Sequence, residues 1–482
     1  MNFAADVLDA ADPDALALVE LARDGGRRTW SFGEVADGSA RLAGWLEGGG
    51  VRRGDVVLTL VGNRPEWVMA MVACLRIGAV VLPCTEQLRP KDLAARCAVV
   101  SPVRVLADPR NREALEAAGL ACPVTYLDEP GLFDGPDRAQ APKLAPADPC
   151  LITFTSGTAG DPKAVLHGQR YWAGQEVQAT SWLAAEPGEL VWCTAASGWS
   201  KSARNVFLAP WLRGAPALLH DARFDPAERL DILERERVTV LCMAPTEYRV
   251  IAARTELRPF PALKGLVAAG EALNPEVLRA WQEATGLAIR DGYGQTETGQ
   301  LTGMAAGGEI RAGSMGRALP GTSLWVSDDG ELVADPATVP TFFLGYLRAD
   351  GTVEAPSSPW STGDRVRADA DGFLFFEGRT DDVIISAGYR IGPFEVESAL
   401  VEHEAVAEAA VVAAPDPARG SVVRAVVVLR DGFAGTPELG RELQEHVKAL
   451  TAPYKYPRIV EFAAELPKTT SGKVRRTLLR EG

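Results

Sequence analysis

The chain has 482 residues, 47% hydrophobic and 24% charged, a globular balance with room for two to four packed units. Collagen-like, disordered and disulfide-scaffold classes are excluded on that composition. A formal net charge of -14 repels polyanions, which excludes nucleic acid and acidic membrane surfaces as general partners.

The opening segment MNFAADVLDAADPDALALVE is acidic and lacks the basic region of a signal peptide, so a cytoplasmic location is expected. Val56–Val61 reads as a strand, Glu66–Ile77 as a helix and Ala79–Pro83 as the next strand. Arg76 and Gly78 interrupt the apolar stretch from Trp67 to Cys84, so it reads as a buried helix and strand rather than a membrane span. The Pro/Asp-rich segment from Cys122 to Pro149 reads as a surface excursion or as a seam between two subdomains.

Cys150–Phe154, Val191–Thr194, Ala217–Leu219, Val238–Met243 and Gly265–Ala269 continue the strand series. Pro226–Glu236 and Pro275–Thr285 read as helices opened by a first-turn proline. The alternation predicts parallel sheets covered by helices. From Ser314 the pattern changes to Gly-punctuated strands at Ser323–Val326, Glu331–Val333, Phe342–Tyr346, Arg365–Ala368 and Phe373–Glu377, a small antiparallel unit. A third style follows: helix Pro393–Glu402, strands Val406–Ala413 and Val422–Leu429, and helix Pro437–Leu450. The expected fold class is α/β: a large N-terminal domain over residues 1–380, with two αβ subdomains and a small β unit, and a smaller α+β C-terminal domain over 381–482.

Seven cysteines, none in a CxxC pair and none beyond Cys242, read as buried free thiols rather than zinc ligands or disulfides. Charge is divided unevenly. Residues from Asp381 onward carry 13 Lys/Arg against 15 Asp/Glu, leaving -12 to the first 380. From Lys448 to the end the local charge is +5, either a solvated helix end and tail or a docking surface for a phosphorylated ligand. Only nine of the 50 basic residues are lysines, so a lysine inside a motif carries more weight here.

Five segments carry chemistry. TFTSGTAGDPK, Thr153 to Lys163, follows an apolar strand; its small residues let backbone N–H groups face phosphate oxygens, Ser156 and Thr158 add hydroxyls, and Lys163 adds a charge. It does not fit GxxxxGK[ST] and is not a Walker loop. DGYGQTET, Asp291 to Thr298, combines an aromatic face that can stack on a base with Thr296 and with Glu297, which can hold a hard cation beside phosphates. STGD places Asp364 after a turn, where it can grip two ribose hydroxyls. GRTDDVIISAGYRIGPFEVE supplies Arg379, Gly388 and Arg390, and PKTTSGKVRR presents Lys473 on a glycine-containing turn.

In this order and spacing the segments resemble the adenylate-forming superfamily of acyl-CoA synthetases, luciferases and peptide-synthetase adenylation domains. SGWSKSA, CMAPTEYR, AAGEALNPEV, AGYRIGPFEVESAL, PDPARGSVVRA and HVKALTAPYKYPR make the chain most similar to the medium-chain acyl-CoA synthetases. The resemblance implies activation of a medium-chain, branched or aromatic acid to an acyl-adenylate, then transfer to coenzyme A. Cosubstrates are ATP and CoA, the ion is Mg²⁺, and the partners are small molecules. An adenylating enzyme that loads a carrier protein or another acceptor is the alternative, and a non-catalytic nucleotide-binding protein is a third.

The resemblance also implies residue roles. Lys473 is the cation between the two anions of the adenylation step, with Glu297 on the metal and Thr296 beside it. Thr155, Ser156, Gly157, Thr158, Ala159, Gly160, Asp161, Pro162 and Lys163 would cradle the β- and γ-phosphates. Gly292, Tyr293, Gly294, Gln295 and Thr296 would surround adenine and the α-phosphate, extended by Gly270, Glu271 and Asp291. Asp364 would take the ribose, supported by Arg379 and Arg390. Asp381 is the hinge of a mobile C-terminal domain. After the swing, Gly388 between Ala387 and Tyr389 would line the pantetheine tunnel, where a missing Cβ leaves room. Arg419, Lys448 and Arg458, with Tyr456, Pro457 and Gln87, would meet CoA; Arg419 and Lys448 also read as plain surface charges. Trp199, Ala268, Ala269 and Gly270 would wall the acyl pocket, with core packing as the other reading of Trp199. His167 is expected to pack or hydrogen-bond, because a carboxylate needs no general base.

Two departures from the family pattern are visible. Ala159 stands where the loop usually carries a second hydroxyl, and the stretch from Leu324 to Trp360 is short and irregular.

Overall fold

The computed structural model describes residues 1–155, 162–271, 273, 275–387, 389–417, 419–469 and 474–480, with the side chain of Arg390 left aside. Among them, no helix is long and apolar enough to cross a membrane.

Two large sheets dominate. The first has nine strands, with the parallel series Ile289–Gln295, Gly265–Ala269, Val240–Met243, Val191–Cys193, Ala217–His220 and Leu16–Leu21 at its centre. Antiparallel strands Arg27–Ser31 on one side, and Gly299–Gly303 with Arg317–Ala318 on the other, complete it. The second has eight strands: Val124–Tyr126, Arg104–Ala107, Val56–Leu60, Val80–Cys84 and Pro149–Phe154 are parallel, and Ala164–Gly168, Gly345–Leu347 and Val353–Glu354 extend them antiparallel. The parallel sheets are therefore as expected, and the antiparallel edges are additional.

Helix Pro65–Ile77 explains how the sheets meet. Proline opens it, Gly78 in the left-handed region closes it, and every residue except Glu66 is buried. A helix buried on nearly every face belongs in a core; with Arg76 paired to Asp9, this one joins Val57 and Val81 of one sheet to Val191, Val240 and Val267 of the other in a single cluster. Across the sheet ends, Arg110 bonds both Glu86 and Asp221. The 122–149 excursion straps helix Phe32–Gly48, its Ala139 N–H donating to the Ala40 carbonyl at 3.0 Å.

The small unit is a four-stranded antiparallel sheet of Leu324–Val326, Glu331–Ala334, Trp360–Ala368 and Leu374–Arg379. The expected strand at Phe342–Tyr346 is corrected. Phe342 and Phe343 are buried against Trp360, and the strand Gly345–Leu347 pairs with Ala164–Gly168 of the eight-stranded sheet.

Beyond Arg379, a five-stranded sheet is built on the long hairpin Val406–Asp416 and Gly420–Leu429. Helices Pro393–Val401 and Pro437–Leu450 cover it through Val396, Leu400, Leu439, Leu443 and Val447. It touches the rest of the chain through Phe376 on Phe394, with ring centroids 5.9 Å apart.

Candidate active site

The parallel strands of the nine-stranded sheet end side by side, and ligands of open α/β sheets bind outside such carboxyl ends. A crevice of about 1630 Å³ runs there, walled by both large sheets, the four-stranded sheet and the C-terminal unit.

At one end the hairpin of Ile289–Gln295 and Gly299–Gly303 carries Gly292, Tyr293, Gly294 and Gln295 into the crevice. A side chain at Gly294 would overlap the Gly299 carbonyl oxygen, so only glycine permits the hairpin to close. The Tyr293 hydroxyl donates to Asp364. Gln295 Nε2 also reaches Asp364 Oδ2 at 2.9 Å, and Arg379 Nη1 reaches Oδ1 at 3.2 Å. Burial raises the Asp364 carboxyl above its ordinary range although Arg379 and both hydrogen bonds pull it down. Asp364 and Arg379, the residues expected to hold a ribose, are thus brought together in the crevice. Asp291, deeper on the same strand, lines the crevice and is held well above the carboxylate range by burial.

The end of the crevice that carries the residues expected to face phosphate joins the two sheets. Thr155 and Lys163 both line the crevice and are bonded to each other, Thr155 N–H to the Lys163 carbonyl and Lys163 N–H to Thr155 Oγ1, each at 3.0 Å. Lys163 Nζ lies 4.8 Å from the Tyr346 ring centroid, and the Tyr346 hydroxyl donates to Glu297 Oε1 at 2.9 Å. Pro162 is exposed beside them. Ser156, Gly157, Thr158, Ala159, Gly160 and Asp161 lie outside the described residues. His167 is buried, with Nε2 2.9 Å from the Thr296 carbonyl and its ring on Tyr171, and burial pushes its pKa down to about 3. It packs and hydrogen-bonds, as expected, and holds the backbone of Thr296.

The other end is walled by half-buried Trp199 and by Ala269 and Gly270. Ala268 is a correction: side chains alternate along strand Gly265–Ala269, so Ala268 faces the core with Met243 and Leu266 and does not line the crevice. Glu271 lines it and accepts from Thr246 Oγ1 at 2.5 Å. Four residues the sequence reading missed stand here. Lys201 Nζ donates to the Ala269 carbonyl at 2.8 Å, the Thr194 hydroxyl donates to Glu247, and Arg229 Nη2 reaches Glu247 Oε1 at 3.2 Å. Each sits on, or packs against, the segment after a parallel strand, and that position was the available signal.

The residues expected to meet CoA form a separate group. Ala387 N–H donates to the Arg419 carbonyl at 3.0 Å, and Tyr389 stacks on Tyr454 with centroids 4.4 Å apart. Lys448 Nζ and the Arg458 guanidinium lie 4.3 and 5.0 Å from the Tyr456 ring. None of these lines the crevice, whereas Gln87 does. Pro457 is buried beside them. Gly388 and the Arg390 side chain fall outside the described residues, as does Lys473. Its flanks, Lys468 and Val474, bridge each other and line the crevice. Asp381 also lines it, 3.5 Å from Arg379 Nε. All seven cysteines are free, and among the described residues none lines the crevice.

Comparison with known proteins gives this geometry its family. Residues 6–351 match the AMP-binding enzyme family, and residues 395–473 match the AMP-binding enzyme C-terminal domain. The chain is 39% identical to human "Acyl-coenzyme A synthetase ACSM3, mitochondrial", covering 100% of this chain and 89% of that protein. It resembles the crystal structure of Brucella canis acyl-CoA synthetase at 34% identity and a TM-score of 0.75, covering 100% and 94% of the two chains. A benzoate CoA ligase from Burkholderia xenovorans LB400 superimposes with a TM-score of 0.88 at 26% identity, covering 100% of both chains. The crevice therefore lies in an AMP-binding enzyme, and the chain belongs to the acyl-coenzyme A synthetases of that family.

Proposed function

We propose that the protein ligates a medium-chain, branched or aromatic carboxylic acid to coenzyme A at the expense of ATP. The observation that carries this reading is the set of groups that share one crevice: Glu297 near Lys163 through Tyr346, Tyr293 with Asp364, and Gly270 and Trp199 beyond strand ends of the nine-stranded sheet. That grouping sets a carboxylate beside a nucleotide, so attack on the α-phosphorus is a matter of alignment. Pyrophosphate leaves, and the CoA thiol then displaces AMP from the acyl-adenylate.

Glu297 fits a magnesium ion. It is a single carboxylate with acceptor capacity beyond its Tyr346 bond, and among the described residues no group of three or more ligating side chains competes with it. Magnesium is commonly held that way, by one or two carboxylates plus substrate phosphates. When bound it would neutralise phosphate charge.

Two further assignments belong to the same reading. Lys473 serves the first half-reaction, and the separate face of Tyr389, Arg419, Lys448 and Arg458 serves the second after rotation about Asp381. Incubation with an acid panel, ATP and CoA, followed by mass spectrometry, tests the function; acyl-CoA and AMP are expected. Adenylate without thioester would favour the carrier-loading alternative. Lys473→Ala is expected to abolish adenylation while thioester formation from supplied acyl-adenylate persists, and equal loss of both would overturn the division.

A further inference from the structure

Successive parallel strands end along the crevice, so position along the sheet measures distance from the nucleotide. Tyr293 marks the nucleotide strand, Gly270 follows the next, and Thr246 and Glu247 follow the one after. Thr194 follows the strand beyond that. Two strand spacings put the strand that leads to Glu247 about 10 Å from the nucleotide strand. A para-substituted benzoate, or a short chain with its carboxylate against the nucleotide, reaches that far.

Hydrocarbon would be expected to wall an alkyl site at this depth. Instead a carboxylate stands there. The Glu247 side chain keeps 18% exposure toward the crevice. It accepts from Thr194 and from Arg229 Nη2 and makes a long contact of 3.5 Å with the Ala244 N–H. A carboxylate has about four acceptor positions, so capacity remains. The Thr194 hydroxyl is used as a donor and its oxygen can still accept. Arg229 is committed, with Nη1 3.3 Å from His220 Nδ1 and its guanidinium 4.8 Å from the Trp192 ring. What faces the crevice is therefore acceptor capacity, to be met by a donor on the ligand.

Charge decides which donor. Lys201, Arg229 and Arg249 line the same crevice and offset the pull of Glu247 and Glu271 on an ammonium, and a second carboxylate would meet those two as like charges. A neutral hydroxyl meets neither obstacle. We infer that Glu247 and Thr194 form a specificity subsite for a hydroxyl at the far end of the acid, so that the acids activated best are hydroxy acids, aliphatic or phenolic. The inference rests on the acid–CoA ligase reading. Its discrimination should be sharp, because a site built to hydrogen-bond a hydroxyl rejects the analogue without it more strongly than a hydrocarbon pocket rejects an added hydroxyl.

The test compares kcat/KM within matched pairs: 4-hydroxybenzoate with benzoate, and 6-hydroxyhexanoate with hexanoate, followed by pyrophosphate release. 6-Aminohexanoate and adipate supply the two charged ends. The wild-type enzyme is expected to favour the hydroxyl member of at least one pair by about tenfold or more. It should also prefer 6-hydroxyhexanoate to both charged acids. Glu247→Val is expected to bring the ratio to about one or below; the ratio is internal to each variant, so general loss of activity cancels. Should that variant not fold, Thr194→Val gives the same comparison. Preference for the hydrocarbon members or for a charged acid in the wild type, or an unchanged ratio in the variant, would overturn the subsite alone. Absence of pyrophosphate release with every acid would overturn the ligase reading itself.

Discussion

Asp364 is oriented by Tyr293, Gln295 and Arg379 before any nucleotide arrives. In the proposed ribose role it accepts from two hydroxyls, so Asp364→Asn keeps the shape and loses the charge. A hydrogen bond to a charged group is worth about 1.5–3 kcal/mol, so KM for ATP is expected to rise roughly tenfold to a hundredfold, read by ATP titration at saturating acid. His167 gives a pH dependence. Its pKa falls from 6.5 to about 3 on burial, so below pH 6.5 the unfolded chain binds the proton that the folded chain refuses. The stability associated with neutral His167 is therefore full above 6.5 and declines as pH falls toward 3. At pH 5 the loss is about 2 kcal/mol. His167→Gln is expected to flatten the acid side of the melting-temperature profile, and an unchanged slope would remove His167 as its cause.

At the scale of elements, proline-opened helices were legible because the ring fixes φ and lacks only an N–H that the first turn does not use. Pro275–Thr285 and Pro437–Leu450 have the bounds read from sequence. Pairing partners were less legible. An apolar run marks what is buried, not which strand it joins, and Phe342 and Phe343 are buried beside a strand that begins at Gly345. Strand Arg27–Ser31 was missed because it is a polar edge with no residue fully buried. The hairpin of Ile289–Gln295 and Gly299–Gly303 yields a sharp expectation: Gly294→Ala drives a methyl into Gly299, so soluble yield and ATP binding should fall together. Tyr346→Phe is milder. It removes one bond from Glu297, and the magnesium concentration for half-maximal adenylation is expected to rise several-fold in a metal titration.

For the whole molecule, Gly198 matters more than its place in a loop suggests. Its φ is +91°, and a Cβ there would overlap Thr85 N and the Cys84 carbonyl carbon at the end of the other sheet. Gly198→Ala is expected to lower the melting temperature by about 5 °C or more, and a neutral outcome would show that the sheets yield independently. The nucleotide half of the crevice was legible because each of its motifs is contiguous. At the other end Trp199, Ala269 and Gly270 were legible, but the polar group beside them was not: Thr194 and Glu247 are bonded across 53 residues, and Arg229 arrives from a third segment, so only the fold brings them together.

The placement of the thiols and amines bears on the danger of the intermediate itself. An acyl-adenylate acylates any free nucleophile beside it. Burial pushes the Cys150 thiol far up, and among the described residues no cysteine lines the crevice. The described lysines that line it are occupied: Lys163 against Tyr346, Lys201 on the Ala269 carbonyl and Lys468 paired with Glu408. Among the described residues, the crevice therefore offers an acyl-adenylate no cysteine thiol and no lysine amine without a partner.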